Sequence, residues 1–482
     1  MFAKNPNKFK VAQSAVLDAD AIKLCQMIKN KQITSVEATK TYIEHIEKMN
    51  PTINSVVENR FNEALEEAQK ADYQLAKGEA TGQLFGVPIS MKESFDVKGM
   101  QTTGALIHRK GMVQKRDADV VRKLKEEGAI ILGKTNTPEL CFCQETDNKL
   151  FGRTNNPRDL TRTAGGSSGG EAATIAIGAA AAGLGSDIGG SIRIPSHFNG
   201  IIGFKSGRGQ ISSEGSFPCE EHPLQSRMLG IGPMTKSVRD VELIYNIIAK
   251  QKTVKKELAN FTVSVLPSTE YPLSVETSVL IGSVYEKLRE NLLVERVSPP
   301  YLHESAELWQ EIMSINGGEM AYSEAFANKK TKPVGQYVKE IVSGTAKNHR
   351  YLLWALIGAA LFKPTNSRIK EIEKIVEEGD AILDDYLDKR ILLFPVYHTA
   401  APKHGVVYKE IFSIRKTFEK YIPYVAYANV WGLPSLTVPL GKDQYGMPIA
   451  LQCISRIGNE DALFQLGYLL EKAFSAYERV LF

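Results

Sequence analysis

Residues Ala164-Gly-Gly-Ser-Ser-Gly-Gly-Glu171 and Gly185-Ser-Asp-Ile-Gly-Gly-Ser-Ile-Arg-Ile-Pro195 place two serines, Ser167 and Ser191, in glycine-rich turns on either side of one alanine-rich helix. Glycine lets backbone N–H groups approach a reacting atom that a side chain would screen, and successive N–H groups in such a turn form a concavity that stabilises an anion. A serine in that setting has donors waiting for an oxyanion. It still needs a base, because a free hydroxyl is a poor nucleophile at neutral pH.

The base candidate lies upstream, in Gly86-Val-Pro-Ile-Ser-Met-Lys92-Glu-Ser-Phe95, where a lysine closes an apolar run that reads as a buried strand. Burial disfavours the charged form of an amine, so Lys92 can be neutral and able to accept a proton. A single lysine in a chain with 59 basic residues is also compatible with a strand-end side chain reaching solvent.

Taken together, Lys92, Ser167 and Ser191 in these contexts resemble the Ser-cisSer-Lys triad of the amidase signature family. The likeness continues in family order through Thr34–Ile43 with Asn50-Pro51 and Asn54, Gly133-Lys-Thr-Asn-Thr-Pro-Glu139, Phe151-Gly-Arg-Thr-Asn-Asn-Pro157, Asn429-Val-Trp-Gly-Leu-Pro-Ser435 and Gly446-Met-Pro-Ile-Ala-Leu-Gln452. Lys92-Glu93-Ser94 and Gly170-Glu171 are closer to fatty-acid amide hydrolases than to the A subunit of the tRNA-dependent amidotransferase. Lys205-Ser206-Gly207 departs from the Lys-Pro-Thr common among relatives, which leaves the local turn open.

The resemblance implies Ser191 as nucleophile, Ser167 as bridging serine behind a cis peptide from Gly166, and Lys92 as base. It also implies an oxyanion hole from the N–H groups of Ile188, Gly189, Gly190 and Ser191. Ser168, Asp187 and Arg193 would support the turns, the last two as an ion pair across them. Cys141 and Phe142 sit where relatives shape the acyl pocket, though both also read as core residues. No metal and no cofactor is expected.

Competing motifs are weaker. Gly165-Gly-Ser167-Ser-Gly169 satisfies the nucleophile elbow of α/β-hydrolases, but an elbow follows a strand, and Asn156-Pro-Arg-Asp-Leu-Thr-Arg-Thr163 is polar and broken by proline, so no strand is expected there. No histidine partner is evident either, and His197 reads as a packed or surface residue. The loop lacks both the Gly-Lys-Ser/Thr ending of a P-loop and the spacing of a dinucleotide fingerprint.

Composition sets further bounds. A chain of 482 residues without a linker, repeat or low-complexity tract is expected to be one α/β domain over 1–482, with a signature core at about 80–210 and a variable substrate region at about 250–390. The formal charge of +4 is too slight to imply a nucleic-acid partner. Five cysteines suggest reduced thiols. Met1-Phe-Ala-Lys-Asn-Pro-Asn-Lys8 has no apolar h-region, so a cytoplasmic location is expected. The oligomeric state, a homodimer included, is open.

Thr34-Ser-Val-Glu37 is a capping box opening a helix whose Val36, Ile43 and Ile46 share a face, and residues 57–77 continue a helical pattern. Leu84–Met91, Ala129–Leu132, Ile391–Pro395, Ser435–Pro439 and Ile449–Cys453 read as buried strands that must meet in one sheet, and Glu460–Phe474 as a closing amphipathic helix. The resemblance implies that this is a mixed central β-sheet covered on both faces by α-helices, with the catalytic turns at its edge.

Within the variable region, Tyr351-Leu-Leu-Trp-Ala-Leu-Ile-Gly-Ala-Ala-Leu-Phe362 is bracketed by Arg350 and Lys363. As a helix it is about 18 Å long, too short to span a bilayer. Two readings are open: a buried core helix, or an interfacial segment giving peripheral membrane contact and delivering lipid amides. The expected activity is hydrolysis of a small linear carboxylic amide, fatty-acid amides foremost. Alternatives are a general small-amide amidase, an A subunit of a glutamine-dependent tRNA amidotransferase, and a catalytically silent scaffold.

Overall fold

Short apolar strands from opposite ends of the chain are brought side by side. The computed structural model describes residues 12–219, 222–267, 270–411, 421–474 and 477–481, so the Met1–Lys8 segment lies outside the described residues. Strands β1 (Val56–Asn59), β2 (Pro88–Lys92) and β3 (Ile130–Thr135) form a small sheet in the order β1-β3-β2. Strands β4 (Asn155–Asn156) and β5 (Asp159–Thr163) make a two-stranded ribbon.

The remaining strands are β6 (Ala182–Asp187), β7 (Ile202–Lys205), β8 (Gly230–Thr235), β9 (Thr262–Val265), β10 (Leu293–Arg296), β11 (Arg390–Pro395), β12 (Ser435–Lys442) and β13 (Pro448–Ile454). They build an eight-stranded mixed sheet in the order β10-β9-β11-β13-β12-β7-β8-β6. The first three run parallel and the rest pair antiparallel.

Adjacent residues of β7 show how helices cover both faces. Phe204 packs on Tyr245 and Phe464, with ring centroids 5.1 Å away in each case, so the helices Val238–Ile248 and Glu460–Phe474 lie on its face. Gly203 points the other way, where a Cβ would stand 2.2 Å from Ser196 Oγ of the helix Arg193–Asn199. Side chains alternate along a strand, so one residue pair reports two layers.

Three expectations are corrected. The strands do not all meet in one sheet: β2 and β3 belong to the small one, and β2 meets the start of the edge strand β6 through one backbone–backbone hydrogen bond, Ala181 N–H to Pro88 O at 3.3 Å. Residues 57–77 are not wholly helical, because Val56–Asn59 pairs with β3 and the helix occupies Phe61–Ala76. The segment before Ala164 does hold a strand, β5, which pairs with β4 and has a mostly polar sequence because the ribbon is only partly buried. The capping box at Thr34 and Glu37 is formed as expected and opens the helix Ser35–Ile53.

The helix Arg350–Leu361 is core on one side, as the first reading of its sequence has it, and cavity wall on the other. Leu352, Leu353 and Leu356 are buried with Leu106, Leu140 and Phe326, whereas Trp354, Ile357, Gly358 and Leu361 line a cavity. No helix among the described residues is long and apolar enough to cross a membrane.

Candidate active site

Strands β2 and β6 run side by side in the same direction, so their C-terminal ends deliver Lys92 and Ser186 to one point. Lys92 Nζ lies 2.7 Å from Ser167 Oγ, 2.9 Å from Ser186 Oγ and 3.4 Å from Ser186 O. Its side chain is fully buried, so the reading in which it reaches solvent is excluded. Burial pushes its amine below the usual lysine range, against the opposing pull of Cys141, Asp187 and Glu171.

Ser167 follows a cis peptide from Gly166. Thr137 Oγ1 donates to its carbonyl at 2.9 Å, and Ser168 N–H donates to Ser191 O at 3.1 Å, which ties the two serine turns together. The Ser168 hydroxyl is buried without a partner among the described residues. Behind Lys92, Glu171 is fully buried and accepts from the hydroxyls of Ser90 and Thr135. Burial pushes its carboxyl up to about 7. In the sequence Glu171 stands out only as a point of resemblance, although one acid in the otherwise uncharged, wholly buried helix Gly169–Ala176 is a signal of an electrostatic role.

Asp187 and Arg193 form an ion pair at 3.0 Å with both side chains wholly buried. Burial raises the Asp187 carboxyl, but the Arg193 guanidinium, Lys205 and Asn429 outweigh it and hold the group far below the usual carboxylate range. Asp187 also accepts from the backbone N–H groups of Gly190 (2.8 Å) and Ile192 (3.0 Å), and Arg193 donates to Gln452 and Asn429. This pair therefore shapes the turn that carries Ser191. Of the four N–H groups expected in an oxyanion hole, that of Gly190 is thus already donated within the turn. Those of Ile188, Gly189 and Ser191 meet no acceptor among the described residues.

Two further side chains, both missed in the sequence, grip the same turn. Trp309 Nε1 donates to Ile188 O at 2.8 Å, and Gln144 Nε2 donates to Gly189 O at 2.9 Å. Glycine is required where they approach, since a Cβ on Gly189 would stand 2.6 Å from the Trp309 ring and Gly190 has φ +92°.

Ser167, Ser186 and Ser191 lie on the wall of one cavity, together with Gln144 and the turn Ile188–Gly189. Cys141 and Phe142 line it too, so the structure brings them to the serines, beside Leu140, Phe217, Trp309 and Met313. Trp354, Ile357, Leu361 and Phe362 continue this apolar wall outward, and Leu361 is 65% exposed.

His197 is remote from this chemistry. It is buried, its Nδ1 accepts from Ala450 N–H at 2.8 Å, Nε2 lies 3.0 Å from Thr399 O, and burial pushes it down to about 4. Lys205 ends β7 with Nζ donating to Ser206 O and Leu433 O at 3.0 Å each, which closes the turn that departs from the family pattern. No disulfide joins the five cysteines, and no cluster of metal-ligating side chains occurs among the described residues.

The amidase family profile matches residues 37–464. Fatty-acid amide hydrolase 2-B of Danio rerio is 32% identical over 507 aligned positions, covering 98% of this chain and 93% of that protein. Fatty-acid amide hydrolase 2 of Homo sapiens is 30% identical, covering 95% of this chain and 89% of that protein. The glutamyl-tRNA(Gln) amidotransferase of Lachnospira eligens has an A chain that is 31% identical, covering 96% of this chain and all of that one. A crystal structure of an amidase superposes with a TM-score of 0.78 at 27% identity, covering 95% of this chain and all of that one.

Proposed function

The chain belongs to the amidase signature family and is an amide-hydrolysing enzyme, and on that premise we propose that it cleaves long-chain acyl amides through Ser191, Ser167 and Lys92. The observation that carries this reading is the 2.7 Å approach of Lys92 to Ser167 at the base of an apolar cavity that also exposes Ser191.

Ser191 Oγ attacks the substrate carbonyl carbon as its proton passes through Ser167 to neutral Lys92. The carbonyl oxygen becomes an oxyanion held by the N–H groups of Ile188, Gly189 and Ser191. Collapse breaks the C–N bond, and the proton returns from Lys92 through Ser167 to the leaving nitrogen, because an amide anion does not leave unprotonated. An acyl-serine and a neutral amine result. Water then attacks the acyl-enzyme by the same relay, giving the carboxylic acid and restoring Ser191.

Apolar walls from Phe142, Met313, Ile357 and Phe362 suit a hydrocarbon chain. They favour an acyl amide over glutamine, the substrate that the glutamine-dependent amidotransferase reading would need. Turnover of a ladder of acyl amides by the isolated chain tests this. Rising kcat/KM with chain length supports it, and glutamine hydrolysis only in the presence of a second protein would replace it.

We read the chain as one domain, since β12 and β13 join the two outer groups of strands. Cysteines that form no disulfide fit a reducing compartment. The helix Pro333–Ser343 buries none of its residues and exposes Val334, Val338, Ile341 and Val342 beside the cavity helix, with Tyr337 and Trp354 rings 5.1 Å apart. That face supports peripheral contact with a lipid surface at the entrance.

A further inference from the structure

We infer that Trp309 is a positioning residue for the oxyanion hole, and that it sets the donor direction of Gly189 N–H from within the variable region of the chain. The inference rests on the amide-hydrolysis reading above.

In a trans peptide the C=O of one residue and the N–H of the next point in opposite directions. Fixing a carbonyl therefore aims the following N–H. Each carbonyl from Asp187 to Gly190 is held in this way. Asn429 Nδ2 lies 3.3 Å from Asp187 O, Trp309 Nε1 2.8 Å from Ile188 O, Gln144 Nε2 2.9 Å from Gly189 O and Ile194 N 2.8 Å from Gly190 O. The N–H groups they orient belong in turn to Ile188, Gly189, Gly190 and Ser191. Gly190 N–H is taken by Asp187 Oδ1, and the other three have no acceptor among the described residues.

The Trp309 grip differs from the other three. Asn429, Gln144 and Ile194 belong to the family-like parts of the chain, whereas Trp309 lies on the helix Glu304–Met313, in the stretch that carries no recognisable motif. Its indole is buried, lines the cavity, and stands close enough to the turn that a Cβ on Gly189 would collide with it. One side chain thus both contacts the space for the acyl chain and aims a donor at the reacting oxygen. Contacts remote from the scissile bond can then be expressed in kcat rather than in KM alone.

The test replaces Trp309 by Phe, which keeps an aromatic wall and removes the N–H. Two ligands with the same acyl chain are compared: a trifluoromethyl ketone, which Ser191 converts to a hemiketal oxyanion, and the corresponding secondary alcohol, which forms none. We expect kcat on a matched amide to fall about 10- to 100-fold, less than the 10²–10³ lost with an entire donor, with KM changed less than about twofold. Ketone affinity should fall by the factor lost in kcat/KM while alcohol affinity holds. Equal weakening of ketone and alcohol would make Trp309 a wall residue only and overturn the inference.

A second variant carries 3-benzothienylalanine at position 309, which replaces the N–H by sulfur within the same ring outline. It reports on the same pair of ligands should the Phe variant fail to fold. An active wild type with unchanged ketone selectivity in this variant sinks only the role of Trp309. A wild type that neither cleaves acyl amides nor captures the ketone removes the functional reading itself.

Discussion

Lys92 and Ser167, 75 positions apart in the chain, meet at 2.7 Å on the seam between the small sheet and the large one. Lys92 arrives at the end of β2 and Ser167 in the turn leading to the helix Gly169–Ala176, so neither sheet alone holds the pair. Burial lowers the affinity of the amine for its proton, and the hydroxyl lies within hydrogen-bond reach.

Replacement of Ser191 by Ala should abolish amide turnover, with the thermal midpoint within a few degrees of wild type, since only one hydroxyl is lost. A fluorophosphonate should label Ser191 in the wild type. Peptide mass mapping that finds the adduct on Ser167 instead would reassign the nucleophile.

Activity should rise with pH as Lys92 loses its proton, with the limb centred below the 10.5 of an ordinary lysine because burial disfavours the ammonium. Lys92→Ala should depress amide cleavage at least about tenfold more than cleavage of the matched ester, whose alkoxide leaves with less help from a proton. Equal losses on the two substrates would exclude Lys92 from protonating the leaving group.

Glu171→Gln should change two pH dependences. The Glu171 carboxyl is raised from 4.5 to about 7, so the native state keeps a proton that the unfolded chain has already lost. Wild-type stability therefore falls as pH rises through that window, and the Gln variant should gain on it by an amount on the order of 3 kcal/mol above pH 7. Loss of the anion also removes a pull that favours protonated Lys92, so the acid limb of kcat/KM should move to lower pH. Urea titrations and rate profiles across pH 4–9 measure the pair, and a parallel offset at every pH would assign Glu171 a packing role alone.

Arg193→Met leaves Asp187 buried without its ion partner and should lower stability by about 3–5 kcal/mol. Chemical denaturation at pH 7 reads this directly. A change below 1 kcal/mol would mean that Asn429 and the turn N–H groups satisfy Asp187 unaided.

The outer helices separate wall from surface. Leu356 is 3% exposed, so Leu356→Asp should unfold the helix Arg350–Leu361, whereas Ile357→Asp should raise KM for long acyl amides and spare short ones. Val338→Asp with Val342→Asp alters residues that are 54% and 80% exposed, and should weaken binding to anionic vesicles without touching short-chain turnover. Vesicle binding equal to wild type in that double variant would remove the membrane contact.

The serines and the lysine were legible because glycine-rich turns and a lysine ending an apolar run are local patterns. The division into two sheets was not, since Leu84–Met91 and Ile391–Pro395 look alike as buried strands and only pairing partners tell them apart. Val56–Asn59 disappeared into the alanine-rich pattern that follows, and β5 was hidden because a partly exposed ribbon carries polar side chains on both sides. Trp309 and Gln144 act by hydrogen bonds to carbonyls 121 and 45 residues away, and no spacing announces such a grip.

The place of β12 and β13 has a consequence for biosynthesis. These two strands lie between β11 and β7, so until they emerge the large sheet consists of two three-stranded pieces, each with an open edge. Lys92, Ser167 and Ser191 are all translated well before β12 and β13, yet Arg193 waits for Asn429 and Gln452 to complete its contacts. A ribosome-held chain should thus stay silent, and need protection from edge-to-edge association, until β12 and β13 are free to pair.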